Sequence, residues 1–296
     1  MSRHPLRRLR DVPRRLVRRS QTRRSAREES GFRTRLRVDP DASALLLSPH
    51  WDDAALDCWH LLANDGELVV VNVFAGIPPA GHAGTWEAIA GLKDTAQRAR
   101  ERMAEDTLVL SHAGRRPINL PLLDAEYRRE TQTSVALDEL DREVAASVDG
   151  ASRVHVPAGI GGHVDHLLVR RYGRMLLRAG MPVALYAELP YCFFHGWPSW
   201  VDGSQPQPRR NVDAYWQSFL RGVPEMPPMR SALVERLDPQ SAAAKRAAID
   251  GYELSLNHAV RRMLADPQVH GYEVRWQLES ARGGSLARGR GELPEL

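Results

Sequence analysis

Two short clusters of histidine and acid stand out in this 296-residue chain, Pro49-His50-Trp51-Asp52-Asp53 and His163-Val164-Asp165-His166. Imidazole and carboxylate both bind Zn²⁺ at about 2.0–2.2 Å, and a catalytic zinc keeps three protein ligands and a water. Two neutral histidines and one aspartate leave such a centre positive, which acidifies the water. Neighbouring side chains of an extended segment point to opposite sides, so Asp52 and Asp53 can do different jobs. His163 and His166 stand three apart at a predicted helix start, which puts them on one face. Either cluster alone is a pattern that chance supplies. The pair, each just after a predicted strand, points to a metal site. His60 and His155 read as structural.

The elements that must position these clusters follow from the apolar pattern. Ser43 to Ser48 is a short apolar run that reads as a buried strand, and Leu68 to Phe74 is a clearer one, rich in β-branched residues. Ala54 to Asn64 has helical spacing, with Gly66 as its stop. Residues 92–110 read as a charged amphipathic helix, Ile118 to Leu122 as a short strand, and Leu137 to Val148 as a helix. Arg153 to Pro157 is strand-like. The glycine turn 159–162, a helix over Asp165 to Leu177 and a strand over Val183 to Glu188 follow. This alternation predicts a Rossmann-like α/β domain, a mostly parallel sheet flanked by helices. Ligands of such sheets bind beyond the carboxyl ends of strands, where both clusters fall. Residues 196–230, rich in Pro, Gly, Arg and Trp without periodicity, read as a long loop or lid. A helix over Ser241 to Asp250, extending toward Leu264, and a strand over Gly271 to Gln277 complete the domain, which spans 41–296.

The net charge of +4 hides an asymmetry. Residues 1–40 hold fourteen arginines against Asp11, Glu28, Glu29 and Asp39, about +10, so the rest carries about −6. Such a segment reads as a disordered arm, dispensable for chemistry, that serves at most as a weak tether to anionic surfaces. Without interleaved aromatics before Phe32 it has no stacking platform for bases, so no specific nucleic acid is expected. It also lacks the apolar core of a secretory signal. No apolar run reaches the length of a membrane helix, and two cysteines, Cys58 and Cys192, are too few for a disulfide framework. A soluble, cytoplasmic protein is the expectation. No phosphate-binding glycine motif follows the first strand.

Ser48-Pro-His-Trp-Asp-Asp-Ala-Ala-Leu56 resembles the PHPDDE signature of the PIG-L-type, or LmbE-like, zinc deacetylases. Gly159-Ile-Gly-Gly-His-Val-Asp-His166 is similar to that family's HxDH signature. Arg102-Met-Ala-Glu105 with Gly114 resembles its RxxE…G helix, and Leu120-Pro-Leu-Leu-Asp124 its LxxxD segment. The likeness runs from about 43 to 191. It implies removal of an acyl group, most simply acetyl, from the linear amide of a sugar-like or other small polar substrate. His50, Asp53 and His166 would hold Zn²⁺, or another divalent ion such as Fe²⁺. Asp52 would be the general base. His163 would stabilise the oxyanion or protonate the leaving amine, oriented by Asp165, and Arg102 and Asp124 would face the substrate. The alternatives are a non-catalytic protein that keeps the fold, or a binder of nucleic acid or anionic surfaces led by the arm. Trp51 and Ala54 replace the family's usual Pro and Glu. Gly161 stands where some members carry a tyrosine that assists the oxyanion, leaving that work to His163 and zinc or to another group such as Tyr191.

Overall fold

The structure, a computed structural model, describes residues 36–80, 94–128, 135, 137–205, 210–256 and 258–279. Most of the arm, residues 1–35, lies outside them.

The apolar runs form the strands β1 (Leu45–Ser48), β2 (Val69–Asn72), β3 (Ile118–Asn119), β4 (Val154–Pro157), β5 (Val183–Tyr186), β6 (Leu233–Arg236) and β7 (Tyr272–Gln277). They make a seven-stranded sheet in the order β3-β2-β1-β4-β5-β7-β6. Every pairing from β3 through β5 is parallel, and β7 and β6 add two antiparallel strands at one end. β1, β4 and β5 are buried along their whole length, as expected of central strands covered on both faces.

The helices are α1 (Asp53–Asp57), α2 (Trp59–Asn64), α3 (Thr95–Ser111), α4 (Leu137–Val148), α5 (Val164–Arg178), α6 (Ser199–Asp202), α7 (Val212–Leu220), α8 (Pro239–Asp250) and α9 (His258–Leu264). None of them is long and apolar enough to cross a membrane. The single helix read over 54–64 is two, broken at Cys58. Glu273 of β7 accepts the amides at the start of the second, Trp59 at 2.8 Å and His60 at 3.0 Å, and pairs with the buried Lys245 ammonium at 2.8 Å. Both cysteines are buried and unpaired.

From β1 the chain proceeds outward through β2 and β3, then returns to place β4 and β5 on the other side of β1. The strand order therefore reverses between β1 and β4. Leu46 pairs with His155 there, so Ser48 and Pro157 end side by side and both acid/histidine clusters open from the same crevice. The crevice is where open α/β sheets bind ligands.

Three expectations need correction. Residues 196–230 are not a featureless loop: they contain α6 and α7. Aromatic packing, not periodic polarity, holds them. Trp216 is fully buried, its ring 5.7 Å from Trp200 and 5.8 Å from Trp276, and its indole N–H donates to Cys192 O at 2.9 Å. The helix starting near Ser241 does not run on to Leu264. It stops at Asp250, and a turn over 253–255 precedes α9.

The domain also begins before residue 41. Arg37 N–H donates to Asp149 Oδ1 at 3.2 Å, Arg37 O accepts from Gly150 at 3.0 Å, and Leu36 N–H reaches Ala179 O at 3.4 Å. These bonds tie the chain to the turns that follow α4 and α5. Deleting residues 1–35 is expected to leave the melting temperature within about 2 °C. Deleting 1–40 removes several hydrogen bonds worth about 0.5–1.5 kcal/mol each and should lower it by roughly 3–8 °C. Differential scanning calorimetry of the two truncations checks this, and equal melting temperatures would place the start of the fold after residue 40.

Candidate active site

The loop after β1 is knotted by one hydroxyl. Ser48 Oγ donates to His50 O at 2.7 Å and accepts from the Ala54 amide at 3.0 Å, while Phe74 N–H holds Pro49 O at 2.9 Å. This tight path turns His50 and Asp53 toward each other. Asp53 Oδ2 accepts the His50 amide at 2.8 Å and lies 3.2 Å from His50 Nδ1 and 3.4 Å from His166 Nε2. Donors bonded at 2.0–2.2 Å to a tetrahedral ion stand about 3.3–3.6 Å apart. Asp53 stands at that separation from each of the two imidazoles, and the donor nitrogens of His50, His163 and His166 lie within 4.8 Å of one another. Charge agrees: Asp52, Asp53, Asp124, Asp165 and Glu188 crowd this floor, with Arg102 and Arg128 as the neighbouring cations. The surplus of negative charge suits a divalent ion.

Each imidazole is backed by a second carboxylate on its other nitrogen. His166 Nδ1 meets Glu188 Oε1 at 3.4 Å, and His50 Nε2 meets Asp165 Oδ2 at 3.3 Å, with Asp124 at 3.7 Å. Metal-binding histidines are commonly oriented in this way. Asp124, Asp165 and His50 also lie close enough to count as a metal-binding group. Asp165, however, is already engaged by the Arg128 guanidinium and the Ala125 amide, the latter at 2.8 Å. That side of His50 is the supporting side.

The role read for Asp165 changes accordingly. Its carboxylate backs His50, and it is its main-chain amide, not its carboxylate, that orients His163 by donating to Nδ1 at 3.3 Å. His163 thereby caps the N-terminus of α5. Burial and the neighbouring rings of His50 and His166 hold its pKa down to about 4. With Nδ1 accepting, the neutral ring carries its proton on Nε2. Asp52 differs sharply from Asp53. Burial and the neighbouring Asp53 push its carboxyl up to about 6, against the pull of Arg102 and His50. For Asp53 burial also acts upward but is outweighed by His166 and His50, which hold it to about 2.

These groups form the floor of a cleft of about 810 Å³, which Asp52, Arg102, Asp124 and His163 also line. The Arg102 guanidinium lies 5.1 Å from the Trp51 ring centre and 3.5 Å from the Tyr127 hydroxyl. His155 and His60 are elsewhere. His155 is buried in β4, its pKa held down to about 3 by burial, and His60 stands beside Glu235 at 3.8 Å.

Two contributors escaped the sequence reading. Glu188 ends the β5 apolar run, where a single acid is the only signal. It also accepts the amides of Gly159 and Ile160, so one carboxylate orients His166 and holds the glycine turn. The other is a wall of the cleft formed by Ser255, Leu256, Ala259, Val260 and Met263. Glu105 pins it, accepting Leu254 N–H at 2.7 Å, Ser255 N–H at 2.9 Å and Ser255 Oγ–H at 2.6 Å.

The mostly parallel, Rossmann-like sheet thus carries a cluster of His and Asp donors at its switch point. No family model matches the chain. A 2′-N-acetylparomamine deacetylase of Streptomyces fradiae is 32% identical over 158 residues, covering 50% of this chain and 57% of that protein. The match thus spans little more than half of that relative's length. Among solved structures, a triple mutant of a deacetylase of the teicoplanin biosynthetic pathway aligns with a TM-score of 0.56 and 26% identity, over 80% of this chain and 97% of that one. The A40926 pseudoaglycone deacetylase has the same fold, with a TM-score of 0.55 and 24% identity over 81% and 98%. The chain is thus similar to deacetylases both in sequence over half its length and in fold.

Glu188→Gln keeps the shape of the side chain but removes the charge behind His166. The expected result is a 10–100-fold loss of metal affinity, of the size seen when such outer partners are changed. Competition with a fluorescent chelator measures it, and parental affinity in the variant would deny Glu188 this role.

Proposed function

We propose that this protein is a metal-dependent N-deacetylase that hydrolyses the acetamide of a sugar-like substrate, with zinc as the ion. The observation that carries the reading is the pairing of two unlike groups over one floor. Asp52 is a half-buried carboxylate in the cleft with its pKa raised toward neutrality, and His163 is a neutral imidazole with a free donor, both beside the His50, Asp53 and His166 donors. Relatives named as deacetylases support it. His50, Asp53 and His166 would hold a divalent ion, which would supply Lewis acidity and acidify the attacking water.

The chain's own groups handle the protons. Asp52 accepts one proton from the attacking water, and its pKa near 6 suits both receiving and releasing it. His163 donates Nε2–H to the oxygen that becomes negative as the tetrahedral carbon forms, a contact worth about 2.7–4 kcal/mol. Because His163 is neutral at rest, Asp52 is assigned the return of the proton to the departing nitrogen. The C–N bond then breaks, leaving acetate and a free amine. Arg102, stacked near Trp51, balances Asp52 and faces the bound substrate together with Asp124. A cleft of about 810 Å³ suits a small molecule.

The test separates the adjacent carboxylates. Asp52→Asn should retain metal and lose about 10²–10⁴-fold in kcat. Asp53→Asn and His166→Ala should lose metal as well as activity. Elemental analysis beside acetate release from N-acetylated sugars reads both, and a metal-free Asp52→Asn with a metal-replete Asp53→Asn would exchange the two roles.

A further inference from the structure

Resting on the deacetylase reading, we propose that Leu56 and Leu189 form the seat of the acyl group. Asp57 holds that seat at a size that admits acetyl and turns away longer chains. The two leucines line the cleft together with His50, Asp53 and His166, yet they are only 1% and 2% exposed. Each is tied in sequence to a group of the floor. Leu56 stands three residues after Asp53 in α1, on the same helix face. Leu189 follows Glu188, the carboxylate behind His166.

The chemistry decides which part of a substrate meets them. The substituent on an acyl carbon is one bond from the carbon that water attacks. Once that carbon lies over the donors, its substituent must touch whatever borders them. The donors themselves are imidazoles and a carboxylate engaged with one another, and an alkyl group gains nothing against them. Leucine side chains receive it without loss. All five residues of α1 are buried, so the seat has a fixed back. A chain longer than acetyl would have to displace packed core side chains, which interiors resist.

Asp57 fastens the two leucines to each other. It is the residue after Leu56, and its Oδ1 accepts the Leu189 N–H at 2.7 Å. The side chain is buried, and Oδ2 has no hydrogen-bond partner among the described residues. The proton transfers assigned to Asp52 make no use of it. An unmet buried oxygen is unfavourable, and what this carboxyl secures in return is the main chain of Leu189. Asp57 is therefore a positioning residue, which sets the separation of Leu56 and Leu189.

The test uses the metal-loaded full chain with methyl N-acetyl-, N-propionyl- and N-butyryl-β-glucosaminide, and reads kcat/KM from carboxylate release. Calorimetric Kd values for acetohydroxamate and butyrohydroxamate give a second reading that needs no turnover. One methylene in an apolar pocket is worth about 10–200-fold, so the propionyl compound should react at least about tenfold more slowly than the acetyl. Acetohydroxamate should bind more tightly than butyrohydroxamate. Leu56→Ala and Leu189→Ala, once shown to melt cooperatively, should each raise the butyryl-to-acetyl ratio at least about tenfold. Asp57→Ala should raise it as well, whereas Asp57→Asn, which keeps the Oδ1 acceptor, should hold the parental ratio. Equal rates for the three acyl groups, or a ratio that neither leucine variant moves, would overturn the seat. A parental ratio in Asp57→Ala would overturn the role of Asp57. A length limit on the hydroxamates that the leucine variants relax, with no carboxylate released from any glucosaminide, supports the seat and counts against the deacetylase reading.

Discussion

The Asp53 carboxylate, buried between His50 and His166 at the point where the strand order reverses, sets the terms for everything around it. A carboxylate taken out of water costs several kcal/mol unless it is matched by charge and hydrogen bonds. Here the matching comes from the His50 amide and two imidazoles, carried by the loop after β1 and by α5. Those imidazoles need support on their outer nitrogens, which calls in Glu188 from the end of β5 and Asp165 from α5 itself. Asp165 in turn engages Arg128 and the turn after Asp124. The carboxyl ends of the strands are thereby fastened to one another by the site they carry.

Two of the three departures from the signatures the sequence resembles, those at Trp51 and Gly161, are absorbed locally. Trp51, in place of a proline, is buried against Ala75 and Ala99, and its ring lies beneath the Arg102 guanidinium. The ring supports an arginine whose charge acts on Asp52. At Gly161 the backbone has φ +93°, and a Cβ there would meet the Tyr191 ring at 2.6 Å. A tyrosine at 161 and the observed Tyr191 cannot both be accommodated without movement. Tyr191 lines the cleft, its ring 5.7 Å from that of His166.

Helix α3 joins the floor to the outer wall. Arg102 faces Asp52, and Asp106 receives Asn72 at 2.7 Å from β2 and Tyr252 from the C-terminal segment. Glu105 holds the main chain of Leu254 and Ser255. One helix thus presents charge to Asp52 and pins a wall of the cleft. Changes along α3 would reach both binding and chemistry through contacts only one residue deep.

The local pattern was enough to read the parallel core, because each buried strand is a short apolar run and each helix carries its own period. β1, β4, β5 and α5 stand within a few residues of where their runs place them, and the pairing of two acid/histidine clusters at strand ends pointed to one crevice. What remained hidden depends on partners distant in sequence. Helices α6 and α7 form around Trp216 and Trp276, which only the folded chain brings together. Residues 54–64 read as one helix because the sequence does not show that Glu273, more than two hundred residues away, takes the amides at a second start. The partner of the Asp165 carboxylate could not be chosen from spacing, since His163 is near in sequence while His50 is near in space. Spacing along the chain identifies which groups share a face; which charge neutralises which is decided by burial, where every carboxylate must find its donors among whatever the fold places beside it.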